Sequence, residues 1–311
     1  MYKKRKKTIF ILLLVLIFLK FLLNIISTTP LKNHFKMNIS SLRYDIKCDL
    51  IFEKNLNEMK RAEKILKSNL NQFNLINDNY FIFNSSMCST YNTLFTHKLN
   101  HIKISQEELN FPIAFAILTY QHVEQIHRLL QLIYRPHNFY CIHIDAKSST
   151  KYRHGIESIV SCLDNVFIAS TSEYMVWGEF SILQAELTCM KDLLEKSKKW
   201  KYLIHMSGDE MPLKTNYELV QILTLYNGTN EIGVTTKNNA ERYTNKYVLD
   251  RKKKKIKKTN QTKSPPPHNY TIYEGCTNVA ISRDFVHYVM TNRNVSDLIE
   301  WSKDMLVPDE M

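Results

Sequence analysis

Acidic residues stand where two apolar segments of the sequence end, and they are the first candidates for chemistry. Asp145 follows the apolar run at residues 139–144, and Gly208-Asp209-Glu210 follows the run that begins at Tyr202. A carboxylate in such a place can accept hydrogen bonds from ribose hydroxyls or from the N–H of a uracil base. It can equally cap the turn or helix that follows the strand. The residues alone leave both roles open.

Other kinds of site have no support in the sequence. It contains no glycine-rich phosphate loop, no Asp-x-Asp pair for a divalent cation, no HExxH or other paired-ligand spacing and no CxxC pair. The isolated histidines His143 and His205 fit structural roles. We therefore expect no metal ion, no redox centre and no other cofactor.

The net charge of +12 is concentrated in two short tracts. Five of the 42 lysines and arginines lie in residues 3–7 and seven in residues 251–258, and the remaining 30 balance 30 acidic residues. A neutral body argues against a broad basic face, so we expect no nucleic-acid partner. The second tract fits a solvated, mobile loop, with binding to nucleic acid or acidic glycans as the alternative.

Short apolar runs alternate with amphipathic stretches after residue 110. The strand candidates are residues 113–119, 139–144, 166–169 and 202–205, and the helical candidates are 56–70, 123–134 and 180–194. The alternation predicts an α/β domain with a largely parallel sheet covered on both faces. Ligands of such sheets bind beyond the carboxyl ends of the strands, where Asp145 and Asp209 stand.

The amino terminus predicts a membrane anchor. Residues 3–7 are all basic, and residues 9–26 are apolar apart from Lys20 and Asn24. A helix of about 20 such residues spans a bilayer, and the basic cluster favours a cytoplasmic amino terminus. A cleaved signal peptide is the alternative. We expect a cytoplasmic tail (1–7), a transmembrane signal anchor (8–27), a stem with the entrance to the main domain (28–110) and a lumenal main domain (111–311).

Six cysteines and six N-glycosylation sequons lie beyond this anchor. Disulfides persist in the secretory lumen, but six cysteines allow fifteen complete pairings, so the count selects none of them. The sequons agree with secretion and indicate surface positions. They begin at Asn38, Asn84, Asn227, Asn260, Asn269 and Asn294.

A series of segments, all in the same order, resembles one known enzyme family. They are residues 111–116, 138–145, 165–170, 184–194, 200–204, 212–216, 281–285, 300–302 and 308–310. Behind a type II anchor, this series resembles the core 2 and I-branching β-1,6-N-acetylglucosaminyltransferases, with the xylosyltransferases of proteoglycan synthesis as more distant relatives. The resemblance implies a Golgi membrane enzyme whose glycosyltransferase domain (111–311) has a GT-A-type fold. It would transfer GlcNAc from UDP-GlcNAc with inversion and without a metal ion.

The resemblance also implies roles on the donor side. Glu310, in Pro308-Asp-Glu310, matches the base that takes the proton of the acceptor hydroxyl. Asp145 matches a nucleoside contact, and Leu118 and Trp177 match positions that flank the uridine. Both of these depart from the family in residue type. Trp177 would stack on the base in place of a tyrosine, and a core tryptophan is the alternative.

On the acceptor side, Glu231 and Arg242 match residues that contact sugar, whereas Asn239 stands where the core 2 enzymes have lysine. Residues 275–279 also replace a different family stretch. The implied acceptor is a Gal- or GalNAc-containing O-glycan or glycoprotein, and the lysine-rich tract nearby is a candidate for altering that preference.

The family's aligned cysteines imply two disulfides, Cys88–Cys162 and Cys141–Cys189. Cys48 would pair beyond residue 311, and Cys276 has no partner in the family.

The sequence stops within the Pro-Asp-Glu motif, and relatives continue with basic residues that neutralise the diphosphate. We therefore expect a C-terminally incomplete chain that is inactive or nearly so by itself. The alternatives are a noncatalytic, membrane-anchored glycan-binding protein and a xylosyltransferase-like enzyme.

Overall fold

The computed structural model describes residues 47–69, 76–96, 103–235, 239–250, 252 and 255–311. The chain divides into two compact units, one ending at Asn74 and the other running from Leu75 to Met311. The predicted tail, the predicted anchor and the sequon at Asn38 lie outside the described residues. Within the described ranges, no helix is both long and apolar enough to cross a membrane.

Within its described residues, 47–69, the first unit contains two α-helices, α1 (Cys48–Phe52) and α2 (Leu56–Asn69). Helix α2 confirms the prediction for residues 56–70. It begins after Asn55, whose side-chain oxygen accepts the backbone N–H groups of Asn57 and Glu58 at 3.1 Å each. This is the arrangement by which an N-cap residue satisfies the free donors of a first helical turn.

The second unit is built on a five-stranded sheet with the order β3-β2-β1-β4-β7. Strands β1 to β4 run parallel, and β7 pairs antiparallel with β4, which confirms the prediction of a largely parallel sheet. Compared with the prediction, β3 ends one residue earlier and β4 continues to Ser207. The strands described in this unit are β1 (Ile113–Thr119), β2 (Phe139–Ile144), β3 (Val166–Ile168), β4 (Tyr202–Ser207), β5 (Asn245–Asp250), β6 (Lys255–Thr262) and β7 (Ala280–Ser282).

Three helices connect the parallel strands: α5 (Val123–Ile133), α6 (Thr150–Val160) and α7 (Ser181–Lys196). They cover the sheet, and every side chain of β1 is buried. Burial on both faces explains why β1 reads as a continuous apolar run rather than an alternating one. The other helices described in this unit are α3 (Cys88–Thr96), α4 (Gln106–Asn110), α8 (Asn216–Tyr226), α9 (Glu241–Thr244), α10 (Arg283–Thr291) and α11 (Arg293–Ser302).

The apolar core on one side of the sheet lies under α7 and α10. Trp200 is fully buried there, and its indole N–H donates a hydrogen bond to the carbonyl of Leu193 at 3.0 Å. This bond satisfies the one polar group of a large buried ring. It ties the end of α7 to the residue pair that precedes β4, and β4 in turn pairs with β1.

Residues 255–258 of the lysine-rich tract lie in a strand rather than in the predicted mobile loop. β5 and β6 pair antiparallel as a hairpin, with Tyr247 opposite Lys258 and Leu249 opposite Ile256. These positions share one face of the ribbon, and Tyr247 is buried. The alternation of Tyr247 and Leu249 gives the hairpin a face to pack, which the charge of the neighbouring lysines concealed in the sequence.

Cys88 and Cys162 are joined by a disulfide that links the start of α3 to the end of α6. Cys141 and Cys189 are buried thiols: the Sγ of Cys141 donates a hydrogen bond to that of Cys189 at 2.6 Å, and no disulfide joins them, so their pairing stays a prediction. Cys276 is an exposed thiol. The five sequon asparagines that fall within the described ranges are all exposed, as surface sites must be.

Candidate active site

A cavity of about 170 Å³ opens where β1 and β4 end. The chain leaves β1 through α5 toward β2 on one side, and later returns through α7 to β4 on the other side. This is the point at which strand order reverses, where open α/β sheets bind their ligands. The cavity is lined by Thr119, Tyr120, Gln121, His122, Gln125, Ser207, Gly208 and Asp209.

Gly208 allows β1 and β4 to close against each other at this cavity. Its N–H donates to the carbonyl of Leu118 at 2.8 Å. A Cβ on Gly208 would lie 2.5 Å from Oγ1 of Thr119 and 2.8 Å from Cδ1 of Ile126. A side chain at this position would therefore push the two strand ends apart. The predicted Gly-Asp-Glu stretch does line the sheet edge, through Gly208 and Asp209.

Asp145 is buried at the end of β2 and both of its oxygens are engaged. Oδ1 accepts the N–H of Lys147 at 2.8 Å, and Oδ2 lies 3.1 Å from Nζ of the same lysine. Asp145 therefore caps the turn after β2, which is the structural alternative predicted from the sequence. Contact with a nucleoside would require Lys147 to share the carboxylate or to move away from it.

The two other predicted nucleoside positions differ from each other. Leu118 is buried, and its side chain does not line the cavity, although its carbonyl holds Gly208. Trp177 is 76% exposed, so the alternative of a core tryptophan is wrong. An exposed indole face is available to stack on a planar ring.

Arg242 and Glu310 come together although 68 residues separate them. Nη1 of Arg242 donates to Oε2 of Glu310 at 2.9 Å, and Nε of the same arginine lies 3.6 Å from Oε1 of Glu274. Both members of the Arg242–Glu310 pair are partly exposed, so a ligand can reach them. The structure thus unites one predicted acceptor residue with the predicted base.

Backbone contacts fix the turn that carries Glu310. The N–H of Val307 donates to the carbonyl of Gly178 at 2.9 Å, and the N–H of Gly275 donates to the carbonyl of Glu310 at 2.8 Å. Val307 has a φ of 54°, an unusual value for a β-branched residue that the surrounding contacts must maintain. Because Gly178 follows Trp177, the loop of the exposed indole also holds the turn of the predicted base.

A buried acidic group lies behind this turn. Burial, with a smaller effect of Asp309, raises the pKa of Glu186 well above its usual value, and burial raises the pKa of Asp309 to about 6. Burial also lowers the pKa of His205, whose Nδ1 lies 2.8 Å from the carbonyl of Thr277. His205 is therefore neutral with its proton on Nδ1. Its Nε2 lies 3.4 Å from Oε1 of Glu186, whose raised pKa favours the protonated carboxyl.

Glu231 is the predicted acceptor residue that stands apart from the Arg242 pair. Its backbone exchanges hydrogen bonds with Ala280 beside β7. Its side chain is exposed and forms no ion pair with any residue that the structure describes. Asn239 is closer to the pair, because its N–H donates to Oε1 of Glu274 at 2.8 Å.

The sequence interpretation missed the residues that accompany the predicted ones. Glu274 and Glu186 were absent from it, since neither carries a local motif. Gln121 and Gln125 were missed as well. They follow the end of β1 as Asp145 follows the end of β2, so the same rule could have selected them. Among the described residues, no three histidine, cysteine, aspartate or glutamate side chains form a metal-binding group.

Residues 113–311 match a protein family described as Core-2/I-Branching enzyme. The match begins at β1 and ends with the turn of Glu310, so it contains the cavity, the Arg242–Glu310 pair and the buried acids behind it.

Relatives with curated names share this region. The Homo sapiens beta-1,3-galactosyl-O-glycosyl-glycoprotein beta-1,6-N-acetylglucosaminyltransferase 3 is 40% identical over 215 residues, which cover 68% of this chain and 49% of the relative. A second Homo sapiens beta-1,3-galactosyl-O-glycosyl-glycoprotein beta-1,6-N-acetylglucosaminyltransferase is 34% identical over 306 residues, covering 94% and 71%. The Mus musculus N-acetyllactosaminide beta-1,6-N-acetylglucosaminyl-transferase is 40% identical over 211 residues, covering 67% and 53%. The chain spans about half the length of the first and third of these relatives.

Among solved structures, a UDP-glucose pyrophosphorylase from Leishmania major aligns at 10% identity. The alignment covers 63% of this chain and 55% of the pyrophosphorylase chain. Its TM-score of 0.34 is too low to bear on fold or function.

Proposed function

This chain belongs to the Core-2/I-branching enzyme family, and on that basis we propose that it transfers GlcNAc from UDP-GlcNAc to a Gal- or GalNAc-containing glycan. The new bond is β-1,6, and the transfer proceeds with inversion and without a metal ion. The names of the relatives support the linkage and the transferred sugar. The largely parallel sheet supports the narrower assignment to a GT-A-type fold.

The observation that carries the proposal is the contact between Arg242 and Glu310. A base for an inverting transfer must be an accessible carboxylate within hydrogen-bond reach of the acceptor hydroxyl. Glu310 is partly exposed, and its Oε2 lies 2.9 Å from the guanidinium of Arg242. This hydrogen bond also holds the Glu310 carboxylate in one orientation. The guanidinium has further N–H groups with which to hold the hydroxyls of the acceptor.

In the proposed reaction, a carboxylate oxygen of Glu310 takes the proton of the acceptor 6-hydroxyl. The hydroxyl oxygen forms a bond to C1 of GlcNAc while the bond from C1 to the diphosphate breaks. UDP leaves with the bonding electrons, and attack opposite the leaving group inverts the configuration at C1. The proton then passes from Glu310 to solvent.

We place the donor at the carboxyl edge of the sheet. The cavity between β1 and β4 lies at the switch point where nucleotides bind in open α/β sheets. The uridine would reach Asp145 on one side and the exposed ring of Trp177 on another. The Trp177–Gly178 loop contacts the turn of Glu310, so donor and base would be held by one continuous set of contacts.

We further propose a type II location in the Golgi membrane with the domain in the lumen. The basic residues 3–7 and the apolar residues after them support this orientation. Protease protection in intact microsomes tests it: digestion of the main body without detergent would contradict it.

The activity is tested with the full-length protein, UDP-GlcNAc and a Galβ1-3GalNAc acceptor, with the product linkage determined by NMR. We expect a β-1,6 GlcNAc branch, formed equally with and without EDTA, whereas residues 1–311 assayed alone should transfer little or no sugar. Glu310→Gln should lower turnover by about 10²–10⁴-fold, because an amide cannot take the acceptor proton. Glu300→Gln, which alters an exposed glutamate paired with Lys303, is the matched control and should retain activity.

Two results would contradict the proposal. One is full turnover by the Glu310→Gln variant. The other is acceptor binding by the unmodified full-length protein without any turnover, which would favour a noncatalytic glycan-binding protein. UDP-xylose in place of UDP-GlcNAc separates the xylosyltransferase alternative, because that enzyme class would prefer the smaller sugar.

A further inference from the structure

We propose that the outward face of the β5–β6 hairpin binds an acidic glycan, namely sulfate- or carboxylate-bearing sugars of the acceptor beyond the sugar that receives GlcNAc. The inference rests on the proposed function for the identity of the acceptor. Its evidence is separate from the site of Glu310, because it comes from the hairpin's own charge, exposure and attachment.

The two faces of the hairpin differ in character. Tyr247 and Leu249 lie on the inward face together with Ile256. On the outward face, Lys257 stands opposite Val248 and Lys255 stands opposite Asp250, because neighbouring positions on a strand point to opposite sides.

Lysines 255 and 257 are exposed, and each is two residues from the other on the same face. Their Cα atoms are therefore about 7 Å apart along the strand. Neither forms an ion pair with any residue that the structure describes. They are cations whose charges are available to a ligand.

Basic residues are far denser in residues 251–258 than in the rest of the chain outside residues 3–7. Seven of the eight residues from 251 to 258 are lysine or arginine, whereas the remainder of the chain outside residues 3–7 has equal numbers of basic and acidic residues. Because these charges lie within one Debye length of one another, salt does not fully screen them and they repel. Within the described part of the tract, Lys258 is the member with an ion-pair partner, Glu241, at 2.6 Å. A bound polyanion would relieve the repulsion among the others.

The hairpin is attached beside the predicted acceptor site. Lys258 pairs with Glu241, and the next residue is Arg242, which contacts Glu310. The hydroxyl of Tyr247 also donates to the carbonyl of Glu241 at 3.2 Å. From the start of β5 at Asn245, the outer end of the strand is about 17 Å away at the usual rise per residue.

An extended acceptor that passes Arg242 can therefore continue along the hairpin. An O-glycan acceptor continues as further sugars on one side and as peptide on the other, and of these our proposal is the acidic sugars. Sulfate and carboxylate groups match lysine side chains in charge and as hydrogen-bond acceptors.

The test is direct binding of a labelled heparin-derived hexasaccharide to the full chain, measured by fluorescence anisotropy without donor. Its desulfated form and vesicles of phosphatidylserine are the comparison probes. The double variant Lys255→Gln/Lys257→Gln should weaken hexasaccharide binding by about tenfold, since each exposed charge pair contributes up to several-fold. Lys198→Gln/Lys199→Gln removes two exposed lysines that precede β4 and lie outside the hairpin, and it should leave binding unchanged.

Binding should also weaken steeply as salt is raised. Equal binding of the desulfated probe, equal loss in both double variants, or binding to the vesicles alone would overturn the proposal.

Transfer measurements separate this inference from the proposed function. With a sulfated acceptor the Lys255→Gln/Lys257→Gln variant should show a higher KM, while transfer to a neutral acceptor stays unchanged. A chain that binds the hexasaccharide but transfers no sugar would contradict the proposed activity and leave the binding face supported. A chain that transfers to both acceptors with equal KM in all variants would contradict the binding face alone.

Discussion

Arg242 holds Glu310 by a 2.9 Å hydrogen bond from Nη1 to Oε2 across 68 residues of chain. The same guanidinium lies 3.6 Å from Glu274, so one arginine serves two carboxylates. Arginine suits this position because its planar fork presents several donors in fixed directions, whereas lysine is a point charge on a flexible stem.

The first prediction concerns this arginine. Arg242→Lys keeps the charge and loses the fork, and Arg242→Gln loses both. We expect turnover to fall about tenfold in the lysine variant and about 10²-fold or more in the glutamine variant, as for the loss of a group that positions or stabilises reacting atoms. Steady-state kinetics with UDP-GlcNAc and a disaccharide acceptor measure both. Equal activity of the glutamine variant and the unmodified chain would remove Arg242 from the site.

The second prediction concerns pH and stability. Burial raises the pKa of Asp309 to about 6, above the ordinary value of about 4. Below pH ~4 the Asp309 carboxyl is protonated in both the folded and unfolded states, and the fold has the full stability that the neutral side chain allows. As the pH rises through 6, the folded chain must hold a buried charge, and this part of its stability is lost. The difference in free energy of unfolding between Asp309→Asn and the unmodified chain should therefore rise by about 1–3 kcal/mol, in favour of the variant, from pH 4 to pH 7.

Urea denaturation at the two pH values measures this gain. Asp304→Asn is the control of opposite sign. Burial acts to raise the pKa of Asp304, but Lys263 and Lys246 outweigh it and lower the pKa overall. Asp304 therefore stabilises the fold at neutral pH and loses that effect in acid. A gain of the same sign in both variants would show that the environment of Asp309 is not the cause.

The sheet could be predicted from the sequence because its signals are local. The continuous apolar run of β1 and the end of β2 at Asp145 are visible within a few residues. The contact of Arg242 with Glu310 is not local, and no periodicity reports it. The resemblance assigned Arg242 and Glu310 separate roles, and their contact was not predicted. The hairpin was missed because the charge of lysines 252–255 outweighed the alternation of Tyr247 and Leu249.

The third prediction concerns the buried cysteines. Cys141 on β2 and Cys189 on α7 are adjacent, and burial together with the neighbouring Cys189 raises the pKa of the Cys141 thiol. As thiols, both should resist alkylation in the folded chain, because the thiolate is the reactive form. Exposed Cys276 should react quickly. In an oxidising compartment we expect a Cys141–Cys189 disulfide that closes a loop of 48 residues and stabilises the fold by about 4 kcal/mol on the entropic estimate.

Mass spectrometry of non-reduced peptides distinguishes the two states. A linked pair of peptides carrying Cys141 and Cys189 would support the bond, and rapid alkylation of either residue under native conditions would contradict both expectations. A link from Cys276 to either residue would contradict the predicted pairing as well.

The last prediction tests whether the loop of Trp177 positions the base. Gly178 has a φ of 79°, and its carbonyl accepts the N–H of Val307. A Cβ on Gly178 would make ordinary contacts with Leu306 at 3.4 Å and Val307 at 3.6 Å, so the strain of a substitution lies in the positive φ. Gly178→Ala should cost about 1–2 kcal/mol in backbone strain, and relaxation of that φ would move the carbonyl that accepts the N–H of Val307. Gly228→Ala is the matched control, because Gly228 has a φ of 91° and no atom within 4 Å of its Cβ position.

Both alanine variants impose a positive φ on a residue with a side chain, so both should lose similar stability in urea denaturation. Only Gly178→Ala moves the contact with Val307, and a displacement of Glu310 by a fraction of an ångström affects the transition state more than acceptor binding. We expect kcat to fall about tenfold or more in Gly178→Ala with little change in the KM for acceptor, and to stay unchanged in Gly228→Ala. Equal kcat in both variants at equal stability would show that Gly178 supports the fold and does not position Glu310.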